Sequence, residues 1–188
     1  MPFTRLISIL FLFIASIGFV NCHAKAAEMG GDFSLLDQDG SPFQLQQLRG
    51  KVVLLFFGYT YCPDICPTEL SNISAVLNSL EHQADQVQGL FITLDADRDK
   101  PKVIKDYTGF FNKDLIGLTG SQADIDQVAA QYRVKFQKHM TGKDRYAIDH
   151  SANLYIIDRN GQLATVVPYG FPPQHVLDVV QHLLDGKP

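Results

Sequence analysis

The sequence predicts an α/β domain behind an N-terminal targeting segment. Three observations carry this reading. Two long apolar runs, 51–58 (KVVLLFFG) and 87–95 (VQGLFITLD), read as strands buried on both faces. Each is followed by apolar residues at helical spacing, over 67–80 and 102–111. A further strand, a strong turn, another strand and an amphipathic helix close the chain.

The segment 1–26 is read first. Arg5 is its only side-chain charge before Lys25, and the stretch from Leu6 to Val20 is almost wholly apolar. That stretch is short for a helix crossing the bilayer, which needs about 20 residues. Ala24-Lys25-Ala26 has the small-x-small pattern of a cleavage site. The expectation is a secretory signal cleaved after Ala26, leaving a domain over 27–188. Two alternatives stay open: an uncleaved membrane anchor, and a lipid-modified Cys22. Each places the domain outside the cytoplasm, where disulfides persist. In a bacterium that is the periplasm or the outer face of the inner membrane.

The domain starts with weak alternation over 33–36, the turn Asp37-Gln38-Asp39-Gly40, and renewed apolar spacing over 43–48, an N-terminal hairpin. After the first buried strand, Leu70, Ile73, Val76, Leu77 and Leu80 line one face of a helix. Ser121 caps a helix over 121–132, with Asp124 three residues on as in a capping box. The third buried strand spans 152–158. It meets the hairpin turn Asp158-Arg159-Asn160-Gly161, a strand over 162–167 and a helix over 173–184. The stretch 136–149 reads as a long irregular loop, and such loops in compact domains are often functional. Strand-helix-strand-helix-hairpin-helix is the order of a thioredoxin-like fold, a central mixed sheet flanked by helices.

Composition narrows the function classes. The net charge of −4 and the lack of any Lys/Arg block argue against nucleic acid. Three cysteines are too few for a disulfide scaffold. If Cys22 leaves with the signal, Cys62 and Cys66 carry all the sulfur chemistry that remains.

That pair lies in Gly58-Tyr59-Thr60-Tyr61-Cys62-Pro63-Asp64-Ile65-Cys66-Pro67, between a buried strand and a helix. Pro67 suits the first helical position and Glu69 the first turn. Backbone N–H groups at the helix start favour anions, so at least one thiol pKa is expected to fall. Three intervening residues let both sulfurs meet at one point. Two thiolates are soft ligands and select Cu(I) over hard cations. A third ligand must come from elsewhere. His150, directly before the third strand, is the leading candidate, with His139 and Met140 as alternatives; His82, His175 and His182 read as solvated. The acidic run Asp95, Asp97 and Asp99 reads as turn formation and helix capping rather than a hard-cation site. Asp95 is expected to support the cysteine loop from behind.

Three segments together resemble the Sco/SenC family. They are the cysteine motif, Leu94-Asp95-Ala96-Asp97-Arg98-Asp99, and Asp149-His150-Ser151-Ala152-Asn153-Leu154-Tyr155-Ile156-Ile157-Asp158. The resemblance spans 31–184. It departs at Ala96, where the family often has Pro, and at Tyr61, where some members carry His. It implies one copper, Cu(I) or Cu(II), bound by Cys62, Cys66 and His150. It also implies a role in assembling the binuclear copper centre of cytochrome c oxidase. The expected partners are the copper-bearing subunit of that oxidase and other copper carriers or thiol reductants. A membrane anchor is common in the family.

Three activities fit such a chain. The first is a copper chaperone. The second is a thiol-disulfide oxidoreductase using Cys62 and Cys66 as a redox-active pair, which has no need of His150. The third, peroxide reduction, calls for an arginine beside the motif, and none is near it in sequence.

Overall fold

The computed structural model describes residues 28–186. The proposed signal, with Cys22 and His23, lies outside the described residues. Seven strands form one mixed sheet in the order β2 (Pro42–Gln44), β1 (Ser34–Asp37), β5 (Ile116–Thr119), β4 (Val87–Thr93), β3 (Val52–Gly58), β8 (Leu154–Ile157) and β9 (Leu163–Val167). Its centre is β3 (Val52–Gly58), parallel to β4 (Val87–Thr93) and antiparallel to β8 (Leu154–Ile157). All seven residues of β3 are buried, as a strand covered on both faces requires.

Alternation along β3 divides the core. Val52, Leu54 and Phe56 face α1 (Ile65–Ser79), α2 (Pro101–Phe111) and α4 (Pro173–Leu184). Val53, Leu55 and Phe57 face α3 (Gln122–Gln131) and the N-terminal hairpin of β1 (Ser34–Asp37) and β2 (Pro42–Gln44). Each fully buried Leu or Phe contributes about 1.5–3 kcal/mol, so this strand anchors both halves. The thioredoxin-like architecture and the N-terminal hairpin stand as the sequence predicts. So does the capping box: the Ser121 side chain accepts from the Asp124 N–H, and Asp124 accepts from the Ser121 N–H. The turn at Asp158 closes as its residues suggest, with the N–H groups of Asn160 and Gln162 donating to Asp158 Oδ1 at 2.9 and 2.8 Å.

Four features differ from expectation. A short strand, β5 (Ile116–Thr119), pairs with β4 and β1, too brief to show periodicity. The expected loop over 136–149 is instead an antiparallel ribbon of β6 (Phe136–Met140) and β7 (Tyr146–His150). It stands apart from the main sheet and is largely exposed, so its polar sequence carries no period of two. Helix α1 begins at Ile65, which places Pro67 third in the helix. Pro is tolerated there because the first four N–H groups have no intrahelical partner. Glu69 therefore sits in the second turn, and it is buried.

Candidate metal centre

The site forms where the C-terminal ends of β3 and β4 meet the start of α1. Beyond β3, the cysteine loop is clamped by Asp99. The Asp99 carboxylate accepts from the Thr60 N–H at 2.8 Å, the Thr60 hydroxyl at 2.6 Å and the Thr93 hydroxyl at 2.6 Å. Asp99 is buried, and burial pushes its carboxyl above the ordinary range against those three bonds.

Helix α1 has no side-chain cap from Asp64. Its Cys66 N–H, one of the unpaired donors of the first turn, instead points at Cys62 Sγ, 3.4 Å away. The sulfur takes the place of a capping oxygen. A hydrogen bond from Cys66 draws the Cys62 thiol well below the ordinary range, and His150 and the backbone at Asp64 and Cys66 act in the same direction. Cys66 is pushed the other way, by that shared bond and by burial. The backbone donor aimed at Cys62 Sγ and the burial of Cys66 both favour Cys62 as the thiolate and Cys66 as the thiol. The expected lowering falls on the cysteine the helix start points at, rather than the one within it.

His150 is the last residue of β7. Its ring lies edge-on to Phe56 and Tyr59, with centroids 6.3 and 5.9 Å apart. Nδ1 lies 3.0 Å from the Ser151 carbonyl oxygen, and Nε2 lies 3.4 Å from Cys66 Sγ. A carbonyl only accepts, so Nδ1 carries the hydrogen and Nε2 offers its lone pair toward the sulfurs. The sulfurs of Cys62 and Cys66 and a ring nitrogen of His150 all lie within 4.8 Å of one another. Cys66 is buried, while Cys62 and His150 are partly open to solvent. This donor set, two sulfurs and an imidazole, suits a soft or borderline ion.

The other candidates fall elsewhere. His139 and Met140 lie further along the ribbon, where His139 Nδ1 faces the Asp149 carboxylate at 3.3 Å. His82, His175 and His182 lie in other helical segments. The three acidic residues are committed to protein partners: Asp95 to Arg98 and Tyr146, Asp97 to Lys138, and Asp99 to the threonines. None caps α2, whose N-cap Lys100 makes no side-chain cap bond. The support expected of Asp95 comes from Asp99, because its carboxylate points at Thr60. Spacing along the sequence does not reveal which aspartate turns that way.

The sequence also left Arg98 without a role. It is remote from the motif in the chain, yet its guanidinium stands 4.6 Å from the ring of Tyr61 and 5.7 Å from that of Tyr59.

Similarity to known proteins points to one family. The SCO1/SenC family model matches residues 21–185. The SCO2-like protein of Rickettsia felis is 35% identical over 167 residues, covering 87% of this chain and 81% of its own. Among solved structures, Bradyrhizobium japonicum ScoI with copper bound is 38% identical with a TM-score of 0.77, covering 83% of this chain and 99% of its own. Arabidopsis thaliana ScoI with copper bound is 33% identical with a TM-score of 0.78, covering 84% and 99%. The match spans nearly the whole described chain and takes in the cysteine pair and His150, and the chain belongs to the SCO1/SenC family.

Proposed function

We propose that this protein binds one copper ion through Cys62, Cys66 and His150 and carries it in the assembly of the binuclear copper centre of cytochrome c oxidase. The observation that carries the reading is the convergence of two sulfurs and one ring nitrogen within 4.8 Å. Two relatives of the same fold, at 38% and 33% identity, have copper bound. Copper here is cargo. Cys62 and His150 are partly open, so an acceptor's ligands have an approach from solvent while Cys66 stays buried. The acceptor is the copper-bearing subunit of the oxidase, with other copper carriers as donors. The segment 1–26 exports the domain or tethers it to the membrane. In a bacterium it then works in the periplasm or at the outer face of the inner membrane. Among the described residues, no helix is long and apolar enough to cross a membrane.

A second reading has its own support in the unequal cysteines. Cys62 as thiolate is the attacking sulfur, and Cys66 holds the proton. In that reading Cys62 attacks a partner's disulfide, releasing one partner thiolate and forming a mixed disulfide. Cys66 then gives up its proton and displaces the second partner sulfur. The products are a Cys62–Cys66 disulfide and a reduced partner able to accept copper.

Anaerobic titration tests the first reading. The reduced protein takes up about one copper per chain, prefers Cu(I) to Zn(II), and loses copper binding when the two cysteines are oxidised. Undiminished binding by the fully oxidised protein refutes it. A periplasm-only reporter fused after Pro188 is active if the export reading holds. An inactive one, with an active cytoplasm-only reporter, ends that reading.

A further inference from the structure

His150 is carried by a ribbon that shares no ladder with the main sheet. Two strands alone are marginal in water, so the seating of His150 depends on what holds the ribbon in place. At its base, the Ser151 N–H donates to the Lys135 carbonyl at 2.8 Å, but this ties the ribbon only to itself. Ile148 is buried and fixes one point of β7. Phe136 of β6 packs against the core, and Lys138 of β6 pairs with Asp97 at 2.8 Å on the exposed side. The attachment made to a buried polar group is at Tyr146, four residues before His150.

Tyr146 meets Arg98 and Asp95. The Tyr146 hydroxyl donates to Asp95 Oδ1 at 2.8 Å. The Arg98 guanidinium lies 3.6 Å from the Tyr146 ring centroid, and its Nη1 donates to the Tyr146 carbonyl at 3.1 Å. Its Nε donates to the fully buried Asp95 carboxylate, in an ion pair. The same guanidinium stands beside the rings of Tyr59 and Tyr61. Its remaining nitrogen, Nη2, is buried with no hydrogen bond among the described residues. A cation sandwiched by aromatic faces gains about 0.5–2 kcal/mol per good contact, which offsets that unpaired donor.

We propose that Arg98 is the positioning residue that seats His150 against the cysteine pair: its guanidinium fork joins Tyr146 of the His150 ribbon to Tyr59 and Tyr61 of the cysteine loop. The inference rests on the copper reading of Cys62, Cys66 and His150. The fork is essential, because one planar group must meet a carboxylate, a carbonyl and three rings at once. Lysine, a compact point charge, supplies the charge without that reach.

The test adds Cu(II) to the purified full chain and reads the thiolate-to-copper absorption band, the nitrogen hyperfine coupling and the affinity. The variants are Arg98→Ala and Arg98→Lys, with Arg49→Ala, which removes the pair with Asp32, as control. Wild type and Arg49→Ala give the band and the nitrogen coupling. Both Arg98 variants lose or shift the coupling and bind Cu(II) about 10-fold or more weakly, as removal of a ligand's support does. Their dithiol oxidises at the wild-type potential, since neither sulfur touches Arg98. Arg98→Lys keeps a partner for the buried Asp95, so it tests the seating even if Arg98→Ala fails to fold. A folded Arg98→Lys protein with wild-type coupling and affinity overturns the proposal. So does a loss of melting temperature in either variant with no spectral change. A wild-type chain that gives no thiolate band removes the copper reading itself, and the proposal with it.

Discussion

Gly58 and Cys66 touch so closely that a β-carbon on Gly58 would lie 2.6 Å from Cys66 Sγ. It would also meet the rings of Phe91 at 3.0 Å and Phe56 at 3.1 Å. The glycine ends β3 with normal backbone angles, so its purpose is space for the sulfur. Gly58→Ala displaces Cys66 and overpacks the core beneath it, at a cost of about 1–3 kcal/mol. Copper affinity falls in the same variant, and a denaturant melt beside a copper titration reads both. A Gly58→Ala protein with unchanged copper affinity shows that the sulfur has room to spare.

Cys62 is expected to react first with iodoacetamide, and at a rate nearly flat between pH 6 and 8. The sign follows from its lowered pKa, which keeps the thiolate fully formed across that window. An ordinary thiol gains about tenfold in rate per pH unit there. Cys66, buried and protonated, stays unmodified while the fold holds. Mass spectrometry of the labelled peptide decides it, and preferential labelling of Cys66 contradicts the proton assignment.

His150→Ala separates carrier from reductase. Both thiols and the start of α1 stay in place, so the disulfide still forms. Cu(II) binding weakens more than Cu(I) binding, because two thiolates alone hold Cu(I) in linear geometry. Replacing Cys62 or Cys66 with Ser removes both activities. Normal oxidase assembly in cells that carry only His150→Ala rules out the copper-carrier role, whereas failed assembly with intact disulfide chemistry makes the reductase role insufficient.

Glu69→Gln raises the thermal midpoint at pH 7 by roughly 2–4 °C and leaves it nearly unchanged at pH 4. Burial lifts the Glu69 carboxyl above its ordinary range, against a bond from Asn72. The folded state therefore holds this proton more tightly than the unfolded chain. Its contribution is full below the unfolded carboxyl pKa and is lost as pH rises through the folded value. Glutamine mimics the protonated form throughout. Equal shifts at both pH values point to packing rather than ionisation.

The parts of this structure legible in the sequence are those whose signal is local. Strand β3 announces itself because seven buried residues in a row leave an unbroken apolar run. The cap at Ser121 is readable because both its partners lie within three residues. Cys62 and Cys66 share one motif, and the place of His150 directly before the third strand marks it as the leading third donor, which the resemblance then implies as a ligand. The ribbon of β6 and β7 was hidden because exposed strands carry no hydrophobic period. The roles of Asp99 and Arg98 were hidden for a different reason. Each acts on residues 37 or more positions away, on Thr60 for one and on Tyr61 and Tyr146 for the other. Only the folded sheet, with the ends of β3 and β4 side by side, brings them together.

The ribbon leaves the domain and returns to it at one place, where Lys135 and Ser151 are hydrogen-bonded across its base. It is an appendix hung on a closed stem, and excising it takes no ladder bond from the seven-stranded sheet. The dithiol belongs to the body of the fold and the imidazole to the appendix. A change confined to the ribbon acts on the third donor and leaves the two sulfurs on their scaffold. The third donor and the thiol pair are thus carried on different pieces of one chain.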